Sequence, residues 1–342
     1  MKSGADVLVI GAGPAGAAAA IEAASAGLSV VLIDRAIRRE RPGETLHPGA
    51  ESLFERLGVA GAISNAAPIR HAGVTTIRDG VASEVRYGAD ARGPWRGYQI
   101  RGAMLDAMLI ARARALGAEW RAPARAEAPL RDGARVTGAM LAGRPFHASV
   151  TIDATGGADW LRRGLGLRQV CAGPRLFARY GYCTGPAPSE NPQFVCSPMG
   201  WSWIAQVEQG LVAWTRVQSG ALTRGAPDPI AHLPPRARER SADVTCRLLT
   251  ECAGPGYFVA GDAAALLDPA SSHGVLRALM SGMMSAYLAN KIVRGALTGE
   301  AAAQHYRRWI RTWFTHDAAK LQSFYQRLDP SWTAAFNAAT AA

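Results

Sequence analysis

"DVLVIGAGPAGAAAAIEAASAGLSVVLID", residues 6–34, decides the fold. Val7 to Ile10 is an unbroken apolar run, the pattern of a parallel strand buried on both faces. Gly11, Gly13 and Gly16 follow as G-x-G-x-x-G. In that pattern the first glycine permits a tight turn. The second lets backbone approach a pyrophosphate, and the third lets the next helix pack close to the strand. Pro14 to Ala26 is alanine-rich and helical, so its free amides and positive dipole end face the phosphates. Gly27 stops the helix, Ser29 to Ile33 forms a second strand, and Asp34 closes it. Asp34 falls 23 residues after Gly11. An acid at roughly that distance accepts hydrogen bonds from an adenosine ribose. The glycines alone are a weak signal. Strand, loop, helix, strand and acid together define a dinucleotide site.

The chain has 342 residues, 49% of them hydrophobic, enough for two lobes. No apolar run reaches transmembrane length, and no signal-peptide pattern precedes the first strand, so a cytoplasmic protein without stable membrane insertion is expected. Five cysteines, Cys171, Cys183, Cys196, Cys246 and Cys252, contain no CxxC pair, so buried thiols are expected rather than disulfides or a metal site. The net charge is +11, and lysine occurs only at positions 2, 291 and 320. The remaining cations are scattered arginines with short clusters such as residues 35–41. A nucleic-acid protein gathers charge on one element, so phosphate contacts to a cofactor, Arg35 among them, are the better reading.

A second signal lies at residues 254–292, "GPGYFVAGDAAALLDPASSHGVLRALMSGMMSAYLANKI". A short apolar strand ends in Gly261-Asp262, followed by Pro269, Gly274 and a small-residue helix. A carboxylate at a strand end binds a ribityl hydroxyl. A helix starting near Gly274 aims its amides at the electron-rich edge of a flavin. These motifs together resemble the FAD-dependent enzymes of the p-hydroxybenzoate-hydroxylase fold. "YQIRGAMLDAMLIARARALGAEW" (98–120) is similar to that family's arginine-led helix, with Arg101 at the cofactor-contacting position. "VTIDATGGADWLRRGLG" (150–166) is similar to its Asp-Ala-x-Gly strand end, which assigns Asp153 and Gly156 to the cofactor. Gly157 stands where most relatives carry arginine.

The resemblance implies an α/β protein with a Rossmann-type FAD-binding lobe at residues 1–68, 98–168 and 252–300. A mainly antiparallel β-sheet substrate lobe at 69–97 and 169–251 is interleaved with it, and C-terminal helices occupy 301–342. FAD is the implied cofactor, and NAD(P)H a transient reductant. Three branches compete. "GETLHPGAESLFERLGV" (43–59) and "GWSWIA" (200–205) resemble tryptophan halogenases, but those need a lysine at the site, and none of the three lysines is expected there. Arg70 and His71 fall where it would lie, and arginine cannot replace the amine. "GPGYFVAGDAA" and the Asp268-Pro269 step are similar in geranylgeranyl-type reductases, which need a long apolar channel. "GETLHP", "LDPASSHGVLRALMSG" and "FYQRLDPSW" resemble the flavoprotein monooxygenases that mature quinone-cofactor amine oxidases and dehydrogenases by hydroxylating a peptidyl tryptophan, although "FNAATAA" replaces their arginine-rich end. The reading is therefore an FAD monooxygenase using a C4a-hydroperoxide on an electron-rich aromatic, free or in a peptide or protein. His47, His273 and Glu44 are the candidates for acid–base or orienting roles, with loop-holding or helix-capping as the structural alternative. Trp201 and Trp203 line either the pocket or the core.

Overall fold

The computed structural model describes residues 4–36, 43–66, 69–91, 93–220 and 223–340, with side chains to 337. Most of the basic cluster at 35–41 and the extreme C-terminus lie outside them. The strand Gly4–Ile10 sits inside an eight-stranded sheet. It pairs in parallel with Val30–Ile33 on one side and Arg144–Asp153 on the other. Glu119–Arg121 extends one edge, and Tyr257–Val259 pairs in parallel with the end of Arg144–Asp153. Val7, Leu8 and Val9 are fully buried, as the unbroken apolar run requires.

Two helices close one face of this sheet. Pro14–Ser25 follows the glycine loop, and Gly274–Val293 follows the second motif. They are in close contact. A Cβ on Gly282 would come within 2.0 Å of the Ala15 carbonyl oxygen. The small residues of both helices therefore serve an approach that larger side chains would block.

The second lobe is a seven-stranded sheet, ordered Arg240–Asp243, Phe177–Thr184, Leu211–Gln218, Gly200–Glu208, Gln193–Ser197, Gly73–Arg78 and Val81–Arg86. It is antiparallel except where Gln193–Ser197 runs parallel to Gly73–Arg78. The hairpin about Gln209-Gly210 forms as its sequence predicts, with Gly210 at φ +70°. The Pro- and Arg-rich stretch before the edge strand Arg240–Asp243 carries one short helical turn, Asp228–Ile230.

Two small sheets join the lobes. Gly43–Leu46, Gly97–Arg101 and Ile69–His71 form one. Gln169–Cys171, Arg247–Leu249 and Ala265–Leu266 form the other, and it straddles the boundaries expected at 168 and 252. Cys171 ends an edge strand of that sheet and is exposed, not buried as expected; Cys196 is half-buried, and all five thiols are free. The helix Gly299–Leu328 spans both lobes. Tyr306, Ile310, Trp313 and Phe314 pack into the nucleotide lobe, whereas Tyr325 packs with Trp201 beside the antiparallel sheet. Among the described residues, no helix is long and apolar enough to cross a membrane.

Candidate functional site

The two nucleotide motifs meet, although some 250 residues separate them. Gly261 has φ +64°, and a Cβ there would lie 2.9 Å from the Ala15 Cβ. Its N–H donates to Ser281 Oγ at 2.9 Å, which ties the Gly-Asp turn to the second helix. Asp34 is buried at the end of its strand. Its carboxylate accepts from the Ala12 and Ala36 N–H groups, at 2.9 and 3.0 Å, so it also braces the glycine loop. Arg35 is exposed beside it.

A row of residues stays open along this junction. Asp262, Pro269, Ser272 and Gly274 are exposed, while Ala263, Ala264, Val275 and Ala278 behind them are buried. A Cβ on Gly156, Gly157 or Gly274 would meet nothing within 4 Å. Arg277 N–H is the first to bond back in the long helix, to His273 O at 2.8 Å. The N–H groups of Gly274, Val275 and Leu276 therefore precede the hydrogen-bond ladder and face outward. The cleft suits a dinucleotide whose phosphates meet the glycine loop and whose electron-rich ring meets this helix.

Other assigned residues stand further back. Asp153 is wholly buried; its oxygens accept from Thr155 N–H (2.9 Å) and Leu161 N–H (2.7 Å). It shapes the turn that carries Gly156 from behind. Arg101 caps a strand and lies 3.8 Å from Glu208, with partial exposure.

"GETLHP" forms the joint between the lobes. Its strand pairs with Gly97–Arg101 and packs against both the flavin-side helix and the strand Gly200–Glu208. A Cβ on Gly43 would lie 2.5 Å from Val207 Cγ1, so glycine is what lets the sheets approach. Strand alternation puts Glu44 on the same face as Leu46, which belongs to the nucleotide-lobe core. Thr45 faces the other way and accepts from Trp203 Nε1 at 2.9 Å. Trp201 donates to the Tyr325 hydroxyl at 2.9 Å and is 3% exposed. Both indole N–H groups thus bind protein partners. Trp201 is a core residue, and Trp203 is half-buried at the lobe junction.

Two imidazoles of the nucleotide lobe, His47 after the joint strand and His273 before the flavin-side helix, act on one another electrostatically. His47 Nδ1 accepts from Gly49 N–H at 3.1 Å, which leaves the ring proton on Nε2. His47 stands edge-on to Tyr87, with centroids 4.9 Å apart, and Tyr87 in turn meets His71 at 5.4 Å. Burial pushes Tyr87 up to about 12, so its hydroxyl stays protonated. His273 precedes the flavin-side helix. Burial lowers the pKa of both His47 and His273. Asp317 opposes the shift at His273, while the charges of Arg277, His47 and Lys320 reinforce it. Lys320 is exposed on the C-terminal helix, three residues beyond Asp317. Arg70 is committed elsewhere. It lies 3.8 Å over the Tyr98 ring and donates to the carbonyls of Arg96 and Gly97.

Arg277 and Asp317 were not foreseen. Arg277 Nε and Nη2 both donate to Asp317 Oδ2, at 3.1 and 2.7 Å, and its guanidinium lies 4.8 Å over Trp313. Asp262, His273, Gly274, Arg277 and Trp313 line one cavity. Asp317→Ala removes the counter-charge of a side chain only 22% exposed. Chemical denaturation should show a loss of about 2–3 kcal/mol, below that of a fully buried pair because Arg277 keeps some solvent. A loss under about 0.5 kcal/mol would mean that the pair is screened like a surface bridge.

Fold and site together define a two-lobed flavin-dependent oxidoreductase. The chain belongs to the FAD binding domain family, whose sequence pattern matches residues 4–224. It is 27% identical to the menaquinone reductase of Mycolicibacterium smegmatis, over 90% of this chain and 82% of that one. It is 26% identical to a tryptophan 2-halogenase of Chondromyces crocatus, over 95% of this chain and 69% of that one. Among solved structures it superposes on the flavin-dependent brominase Bmp2 with a TM-score of 0.83 at 23% identity, covering 94% of this chain and 87% of that one. It also superposes on PqsL, a probable FAD-dependent monooxygenase from Pseudomonas aeruginosa, with a TM-score of 0.80 at 19% identity, covering 99% and 100%.

Proposed function

We propose that the chain is an FAD-dependent monooxygenase that hydroxylates an electron-rich aromatic ring, with a tryptophan in a peptide or protein as the candidate substrate. NAD(P)H is the transient reductant. One observation supports the reading: His47, in the loop after Gly43–Leu46, and His273, at the start of the flavin-side helix, act on one another electrostatically, and both lie below the ordinary imidazole value. Neutral imidazoles are bases near pH 7. Ring hydroxylation needs a base to take the proton from the oxygenated carbon or from an indole nitrogen. Saturating an alkene needs an acid instead.

Gly11, Gly13 and Gly16 hold the pyrophosphate, and Asp34 the adenosine ribose. Asp262 takes the ribityl chain, and the amides after His273 take the ring edge. Arg35, Arg101, Asp153, Gly156, Gly261 and Pro269 complete or brace this cleft. FAD, once reduced, supplies the oxygen activation. Glu44 orients the substrate from the nucleotide-lobe face of its strand, and Trp203 and Tyr87 add aromatic surface at the junction.

A reductase reading draws on the similarity to the menaquinone reductase. A halogenase reading draws on the similarity to the tryptophan 2-halogenase. Turnover with NAD(P)H and labelled oxygen, read by mass spectrometry, separates the three. A gain of one or two labelled oxygens supports the proposal. A gain of two hydrogens, or of a halogen when halide is present, replaces it.

A further inference from the structure

We infer that Trp201, Tyr325 and Asp268 form a buried positioning relay through which the C-terminal helix fixes the flavin-facing turn at residues 269–274. The inference rests on FAD lying along that turn and is independent of which substrate is oxidised.

Asp268 is 0% exposed, Tyr325 0% and Trp201 3%. Trp201 Nε1–H donates to the Tyr325 hydroxyl at 2.9 Å, and that hydroxyl donates to Asp268 Oδ2. Asp268 Oδ1 accepts from Ala270 N–H at 3.0 Å, and its own N–H donates to Cys246 Sγ at 3.3 Å. The carboxylate therefore holds the Ala270 amide on one oxygen and the Tyr325 hydroxyl on the other, with Trp201 behind the hydroxyl. Among the described residues no ion pair reaches it.

What the carboxylate holds is exposed and strained. Pro269 and Gly274 face the cleft, and Ser272 between them has φ +55°. A non-glycine residue in the left-handed region persists only where its surroundings determine it. Asp268 is the anchor at the start of this turn, and the helix amides are at its end. A fully buried carboxylate cannot touch substrate, so its influence passes through the turn.

Asp268 is also titratable in a useful range. Burial raises it to about 6, against the opposing bonds from Ala270, Tyr325 and Trp201. The other groups facing it are the Tyr325 phenol, raised far above its usual value, and the Cys246 thiol, pushed up to about 12. Neither ionises near neutral pH, so Asp268 is the proton site of the relay.

The test is a pH titration of the FAD-loaded protein from pH 4.5 to 8, read by visible absorption of the flavin without substrate. Wild type should show a spectral transition near pH 6. Tyr325→Phe removes a donor to the carboxylate and should move the transition upward by about one unit. Trp201→Phe should move it the same way by less, and Asp268→Asn should abolish it. Tyr325→Phe and Trp201→Phe carry the test even where Asp268→Asn fails to fold. A wild-type spectrum without a transition, or both aromatic variants titrating as wild type, overturns the relay. A protein that binds no FAD at all would instead refute the cofactor placement.

Discussion

Gly16→Ala should give a folded but colourless protein, with FAD affinity reduced at least 100-fold. The Cβ would lie 1.8 Å from the Gly11 carbonyl oxygen and 3.1 Å from the Ala154 Cβ. Neither neighbour can yield alone. Gly11 itself sits at φ +100°, with the Ala154 carbonyl 2.4 Å from where its own Cβ would be. The helix Pro14–Ser25 must therefore retreat, and its amides leave the pyrophosphate position. It is also packed tightly against the flavin-side helix through Gly282, so the displacement reaches both ends of the cofactor. Gly27→Ala is the matched control. Gly27 has φ +77° but only an arginine tip at 3.7 Å, so the change costs about 1–2 kcal/mol of backbone strain. That variant should melt earlier yet stay yellow. A Gly16→Ala protein with wild-type FAD affinity would mean that the helix does not set the phosphate site.

The glycine loop was legible because all its determinants are local. Turn, close approach and acid lie within residues 6–34, and each constrains the backbone directly. The hairpin at Gln209-Gly210 was legible for the same reason. The joint between the lobes was not. Gly43–Leu46 finds its partner at Gly97–Arg101, more than 50 residues on, with no turn chemistry connecting them. A four-residue strand carries too little alternation to name a distant partner. Trp201 and Trp203 look interchangeable as sequence, yet one bonds Tyr325 and the other Thr45. Asp268 was visible as half of an Asp-Pro step, but its meaning depends on Tyr325, 57 residues later. The Arg277–Asp317 pair joins two helices across 40 residues of sequence, a pairing that no local pattern names.

The joint gives "GETLHP" its place in the fold. Its strand touches both the flavin-side helix and the strand Gly200–Glu208 of the antiparallel sheet. Thr45 is committed to Gln99 and Trp203, which holds the strand in register. Glu44 lies on the opposite face of the strand from Thr45, and His47 follows it. Rigid placement of this kind is what a base needs to act within hydrogen-bond reach of a reacting proton.

Replacing both His47 and His273 by alanine should lower turnover by about 10²- to 10⁴-fold, the usual worth of positioned acid–base catalysis, with FAD retained. Neither side chain sits among the glycine-loop contacts, so the protein should remain yellow. The pH profile gives a second reading. Both groups lie below their ordinary value of 6.5, with burial as the largest cause. The neutral ring is the active base, so activity should be level at neutral pH and fall only as pH drops below 6.5. Asp317→Asn should push that acid limb lower still, because the Asp317 charge is what favours protonated His273. The double variant should lose the limb along with the rate. Unchanged turnover in the double variant, or an acid limb that ignores Asp317, would remove the imidazoles from proton transfer and leave Glu44 as the group to test next.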